Sequence, residues 1–223
     1  MQARYLSPRQ AARIYDRIGR MQDVQFYEHR AIHELLTHAD FEHAQAVCEF
    51  GFGTGRLAGR LLKRYLPESC RYLGIDVSPG MAALASKRLR RWRTRAEIRV
   101  GDGSIAIPAD DGQFDRFVST YVLDLLSPAD GRALVAEAHR VLAPEGRLCL
   151  ASLTRGLTTP SRLLTGAWER LWRLRPELVG GCRPVVVSDY LEPGAWTIQH
   201  RVVVSSFALS SEVVIATRKT SPS

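Results

Sequence analysis

The residues of this chain best placed to do chemistry are Glu49-Phe50-Gly51-Phe52-Gly53-Thr54-Gly55, an acid near the end of an apolar run followed by glycines at every second position. Glycine alone combines positive φ with close backbone approach, so the spacing describes a strand-to-helix turn built beneath a flat ligand. A helix opening at Thr54 would aim its positive end at an anionic group of that ligand. The dinucleotide fingerprint is G-x-G-x-x-G, whereas here the third glycine follows the second by two residues and Glu49 stands two before the first.

Two further runs end in acids. Tyr72-Leu73-Gly74-Ile75-Asp76 places a carboxylate 21 residues beyond Gly55, where it can accept both hydroxyls of a ribose. That placement serves NAD as well as any other adenosine cofactor. Ile98-Arg99-Val100-Gly101-Asp102-Gly103 supplies an acid able to accept from an adenine amine. Ile107-Pro108 and the run Gln113 to Tyr121 complete the stretch.

Taken in this order, the motifs resemble the class I S-adenosylmethionine-dependent methyltransferases, in particular the group that includes the ubiquinone and menaquinone C-methyltransferases. The likeness covers roughly Tyr15 to Leu153. It rests on the glycine loop, Asp76, the Gly101-Asp102, Ile107-Pro108 and Phe114-Asp115 run, and Arg140-Val141-Leu142-Ala143-Pro144-Glu145-Gly146-Arg147-Leu148. The resemblance implies S-adenosylmethionine as cosubstrate. Glu49, Gly51, Gly53 and Gly55 would hold its methionine end, Asp76 the ribose, and Asp102 with Gly103 the adenine. Val77 and Thr120 join the cofactor-binding set, and Tyr15 would reach the cofactor from an N-terminal helical lid.

The elements that must position these residues alternate. Helices are expected near 8–20, 23–37, 54–66, 79–92, 128–142 and 160–175, and strands near 45–50, 71–76, 96–100, 114–120, 146–153, 198–207 and 211–217. Alternation is the mark of an α/β fold with helices on both faces of a parallel sheet. The expected architecture is a Rossmann-like, seven-stranded, mostly parallel sheet ending in a C-terminal antiparallel hairpin. At 223 residues one domain is expected. It divides into an N-terminal helical lid (1–40), a cofactor-binding core (41–153), a substrate-side lid insertion (154–197) and the terminal hairpin (198–218). The hairpin counts against the main alternative, a nicotinamide-dependent oxidoreductase. A catalytically silent binding domain would be expected to lose Gly51, Gly53, Gly55 or Asp76, and all are present.

Methyl transfer gains chiefly from alignment, which is worth ~7 to 11 kcal/mol when well made, so no catalytic base is required. Tyr121 and Asp124, after the fourth strand, are the residues that could orient or deprotonate an acceptor; Asp124 could equally cap or pair on the surface. Gln25-Phe26-Tyr27-Glu28 belongs to the lid. Ser119 to Asp124 lacks the Pro-Pro-aromatic signature of adenine-N6 methylases. Between 163 and 174, Leu163, Leu164, Ala167, Trp168, Leu171, Trp172 and Leu174 fill one wide helical face opposite Glu169, Arg170 and Arg173. Such a helix can cap an apolar substrate, rest on anionic lipid, or pack on its own sheet. A small or lipid-like, hydrophobic acceptor is therefore favoured.

The formal charge is +8. Its densest cluster, Lys87 to Arg95, sits at the end of a helix leading into the third strand, away from the cofactor. The cluster reads first as a solvated helix end, next as a contact for an anionic membrane or an acidic partner, and last as an RNA site, so a nucleic-acid substrate is disfavoured. No run of 18 apolar residues occurs and Met1 to Pro8 lacks a signal-peptide core, so a cytoplasmic protein, peripheral to membrane at most, is expected. The four cysteines show no C-x-x-C pairing and read as reduced structural thiols. His29, His33 and His38 miss the H-E-x-x-H zinc spacing, and no metal is expected.

Overall fold

The computed structural model describes residues 5–18, 28–157, 159–206 and 209–219. Helix α1 (Pro8–Ile18) and helix α2 (Glu28–His38) precede β1 (Ala46–Phe50). Then follow α3 (Arg56–Arg64), β2 (Arg71–Asp76), α4 (Pro79–Arg88), β3 (Ala96–Val100), β4 (Phe114–Thr120), α5 (Pro128–Val141) and β5 (Leu142–Thr154). Helix α6 (Thr159–Leu174), β6 (Trp196–Ser206) and β7 (Leu209–Arg218) close the chain.

The seven strands lie in the order β3-β2-β1-β4-β5-β7-β6. Strands β1 to β5 run parallel, and β7 is antiparallel to both β5 and β6. Because β1 has β2 on one side and β4 on the other, the winding reverses there, and the crevice at the carboxyl ends of those two strands is where ligands collect in such sheets.

Adjacent residues on the central strands enter opposite cores, as the period-2 pleat requires. Cys48, Phe117 and Leu150 pack with Leu134 of α5. Val47, Val118 and Cys149 pack with Leu35 of α2 and Leu61 of α3. Both faces being covered, these strands read as continuous apolar runs. Each such fully buried Leu or Phe contributes about 1.5–3 kcal/mol relative to exposure. None of the four cysteines is in a disulfide, and burial pushes the Cys70 thiol up to about 11 and the Cys149 thiol up to about 12.

Several boundaries differ from expectation for local reasons. Helix α3 begins at Arg56 because Gly55, at φ 72°, is its left-handed N-cap. Helix α4 ends at Arg88, and Arg90–Trp92 form a separate 3-10 turn. Strand β5 starts at Leu142, where a register shift opposite Phe114 and Arg116 admits the extra residues. Of the helix expected over 23–37, Glu28 onward is helical, while Gln25, Phe26 and Tyr27 lie outside the described residues. No helix among the described residues is long and apolar enough to cross a membrane.

Candidate active site

The glycine loop is fixed from three directions. Gly51 N–H donates to the Ile75 carbonyl at 2.7 Å, Gly53 N–H to the Asp76 carboxylate at 2.8 Å, and Gly55 N–H to the Phe52 carbonyl at 3.0 Å. Gly51 stands at φ +80°, and a Cβ there would lie 2.2 Å from Val122 Cγ2. Only glycine meets both demands. Beneath the loop, Arg88 donates to the Thr54 carbonyl at 2.8 Å and to its hydroxyl at 2.7 Å.

Asp76 ends β2 with one carboxylate oxygen on Gly53 N–H and the other on Ser78 N–H at 2.9 Å. Each oxygen retains a further acceptor site. Burial raises its pKa, an effect opposed by those backbone donors. Glu49 is 1 % exposed and accepts from Tyr72 Oη at 2.6 Å. Burial pushes this carboxyl up to about 7, the Tyr72 bond pulls it down, and Asp76 pushes it up again.

Two cavities flank the loop. The first, about 290 Å³, is lined by Asp76, Val77, Gly103, Ile105, Val122 and Leu126 among others. The second, about 440 Å³, is lined by Glu49, His29, His33, Arg56 and Arg60, with further residues of the loop. Gly51, Gly53, Thr120 and Tyr121 border both. Helix α1 roofs the first: a Cβ on Gly103 would meet Pro8 at 2.7 Å, and Asp16 of α1 accepts from Gly80 N–H at 3.0 Å. The N-terminus of α3 faces the second, adding its positive end to Arg56 and Arg60.

Tyr121 occupies the junction in a strained backbone conformation, φ 57°, which is an outlier for a bulky residue. It is held by its N–H on the Ala151 carbonyl at 2.7 Å and its hydroxyl against Ser211 Oγ at 3.0 Å. Burial pushes its phenol far above the ordinary value, so it stays neutral.

The remaining expected site residues are placed differently. Gly55 borders neither cavity and instead caps α3 against Ala85, whose Cβ would be 2.9 Å from a Cβ on Gly55. Asp102 is exposed and accepts from Ser104 N–H at 2.8 Å, while its neighbours Gly101, Gly103 and Ser104 line the first cavity. Tyr15 belongs to α1, and its side chain lies outside the described part of the structure. Asp124 is wholly buried and borders neither cavity. Neither of its carboxylate oxygens has a hydrogen-bond partner among the described residues. Burial pushes it up to about 7, with Ser152, Arg183 and Cys182 opposing.

His29, His33, Arg56 and Arg60 were not among the expected binding residues. Their helical spacing on α2 and α3 shows only a polar face, and nothing local says that the two faces meet across a cavity. Part of the basic cluster is structural: besides Arg88, Arg95 donates to the Pro67, Cys70 and Leu62 carbonyls at 2.7, 3.2 and 3.1 Å. Glu34, His38 and His200 gather where α2 meets β6, with the two imidazoles stacked 3.6 Å apart and nearly parallel. Parallel rings direct their nitrogen lone pairs alongside rather than toward one ion.

The sequence pattern of the methyltransferase-domain family matches residues 47–146, from β1 into β5. Residues 47–146 thus carry a methyltransferase domain. A malonyl-[acyl-carrier protein] O-methyltransferase of Geobacter sulfurreducens is 40 % identical over 105 residues, 47 % of this chain and 37 % of that one. A demethylmenaquinone methyltransferase of Lactobacillus johnsonii is 30 % identical over 125 residues, 56 % of this chain and 49 % of the other. The chain thus spans half or less of the length of these curated relatives. Among solved structures, the [4+2]-cyclase SpnF superposes with a TM-score of 0.75 at 14 % identity, covering 99 % of this methyltransferase-fold chain and 100 % of its own. That likeness shows the fold alone.

Proposed function

We propose that the chain transfers a methyl group from S-adenosylmethionine to a small acceptor with an apolar, lipid-like body. The observation that carries the reading is the junction of the two cavities at Gly51, Gly53, Thr120 and Tyr121, where a cofactor can lie across the loop with an end in each. The cradle fits the group: Gly51, Gly53, Gly101 and Gly103 line the first cavity with bare backbone beside the Asp76 carboxylate. Glu49, Asp76 and the α3 N-terminus supply what an ammonium, a ribose and a carboxylate need.

Bound there, S-adenosylmethionine supplies an electrophilic methyl on a positively charged sulfur. An acceptor lone pair forms the new bond to carbon while the carbon–sulfur pair returns to sulfur, releasing S-adenosylhomocysteine; the acceptor's proton passes to solvent. The residues of this chain bind and align. Asp76 and Val77 receive the ribose, Gly103 and Ile105 border the adenine, and Glu49 faces the methionine end. Tyr121 and Thr120 form the wall at the methyl. Neutral Tyr121 serves as a rigid surface and hydrogen-bond donor rather than as a base.

Apolar side chains of Leu6, Val122, Leu125 and Leu126 on the first cavity support a hydrophobic acceptor, and the demethylmenaquinone methyltransferase relative points the same way. The test is incubation with S-adenosylmethionine and a series of quinone-precursor and phospholipid acceptors, following S-adenosylhomocysteine release and product mass. Turnover only with polar, water-soluble acceptors would refute the lipid-like assignment.

A further inference from the structure

Helix α6 is divided lengthwise by its exposure. Ser161, Thr165 and Trp172 are 2, 4 and 7 % exposed. The indole N–H groups of Trp168 and Trp172 donate to the Cys182 and Gly181 carbonyls at 2.8 and 2.9 Å. This face holds the helix to the protein. The opposite side carries Leu163, Leu164, Leu171 and Leu174, which are 72, 41, 40 and 73 % exposed. The wide apolar face of the sequence is therefore two faces: the tryptophans turn inward and the leucines outward.

Leu163, Ala167, Leu171 and Leu174 recur at the i, i+4, i+8, i+11 spacing that makes one stripe along a helix, with Leu164 beside it. Arg162, Arg170 and Arg173 border one flank of the stripe and Arg175 the other. Glu169, the acid of this helix, lies away from the leucines and is paired with Arg155 at 3.4 Å and Arg173 at 3.6 Å. An exposed leucine stripe with a row of guanidinium groups along one flank and Arg175 on the other has the chemistry of the boundary between phosphate head groups and acyl chains.

We propose that α6 is an interfacial docking helix that seats the protein on an anionic lipid bilayer. The leucines enter the acyl boundary and the flanking arginines meet lipid phosphates. A second copy of the chain covering the stripe would add its own four arginines to these, whereas anionic lipid complements them. The helix follows the carboxyl end of β5, and the crevice opens at the carboxyl ends of the neighbouring parallel strands. Gly181, which accepts from Trp172, packs on Leu6 and Leu125, and those two line the first cavity. Docking through α6 brings that end of the cavity to the membrane surface. The inference is independent of what the acceptor is.

The experiment is sedimentation of the full chain with vesicles of pure phosphatidylcholine and of phosphatidylcholine mixed with phosphatidylglycerol, at low and high salt. The wild type should bind the mixed vesicles, bind the neutral ones weakly, and lose affinity as salt rises. The triple substitution Leu163→Gln, Leu171→Gln, Leu174→Gln should weaken binding about tenfold or more. The triple Arg162→Gln, Arg170→Gln, Arg173→Gln should weaken it and flatten the salt dependence. Thermal melting establishes that each variant is folded, and S-adenosylhomocysteine titration reports the cofactor site separately, so failure there bears on the functional reading and not on docking. Equal binding to both vesicle types, no binding, or undiminished binding by the leucine variant would overturn the proposal. So would a wild-type dimer, seen by light scattering, that the leucine substitutions dissociate without any vesicle binding.

Discussion

The backbone N–H of Gly53 donates to the carboxylate of Asp76 at 2.8 Å, joining the loop after β1 to the end of β2. The bond makes loop and acid one unit: the residue proposed to receive the ribose also holds the glycine turn in place. With Ser78 N–H on the other oxygen at 2.9 Å, the carboxylate is pre-oriented, so little rotamer freedom remains to be lost on binding.

Asp76→Ala is expected to weaken S-adenosylhomocysteine binding by ~2 kcal/mol or more, because it removes charge-assisted bonds to two hydroxyls and releases the loop. Asp76→Asn, which keeps the shape but offers an amide in place of one oxygen, should fall between. Calorimetric titration measures both, and undiminished affinity in a folded alanine variant would show that the ribose lies elsewhere.

Gly51→Ala places a methyl 2.2 Å from Val122 Cγ2 at a backbone φ of +80°. Left-handed strain alone costs about 1–2 kcal/mol, and the clash adds to it. The variant should melt lower and bind no cofactor. Pairing it with Val122→Ala relieves the clash and leaves the strain, so the double variant should recover part of the lost melting temperature. Full recovery would mean that φ is not constrained at this position.

Glu49 is expected to link cofactor binding to pH. Burial lifts its carboxyl to about 7, and an ammonium brought beside it favours the ionised form, so binding should release a proton. Affinity should therefore rise as pH climbs from about 5 through 7 and then level. Tyr72 and Asp76, which bear on Glu49, are themselves held neutral and backbone-bonded respectively. Titrations in buffers of different ionisation enthalpy count the proton, and Glu49→Gln should abolish both the release and the pH slope. A slope that persists in this variant assigns it to another group.

Asp124 bears on stability rather than binding. Its folded carboxyl, pushed up to about 7, holds its proton more tightly than the unfolded chain does. Its contribution is thus intact below about pH 4 and is lost as pH rises through 7. Asp124→Asn should raise the melting temperature more at pH 8 than at pH 5, removing a penalty of a few kcal/mol. If turnover also collapses while S-adenosylhomocysteine binding persists, Asp124 touches the acceptor; unchanged turnover leaves it a structural residue.

The parts of the site that were legible in the sequence are those encoded by neighbours in the chain. The acid-and-glycine turn, the acid ending β2 and the alternation of elements are local patterns, and they located the crevice. What was not legible depends on distant partners. Periodicity shows that α6 has a broad apolar arc but not which half turns inward; that is decided by the Gly181 and Cys182 carbonyls that receive its tryptophans. The strained φ of Tyr121 is imposed by Ala151 and Ser211, from β5 and β7. Arg56 and His29 approach to 3.0 Å across the second cavity although 27 residues apart.

The most direct measurement is calorimetric titration of the purified chain with S-adenosylmethionine, S-adenosylhomocysteine and NAD in parallel. Micromolar binding of the first two with none of NAD is the predicted result. Binding of NAD alone would contradict the account and return the glycine loop to a nicotinamide cofactor, and no binding of any of the three would leave a domain of this fold without its cosubstrate.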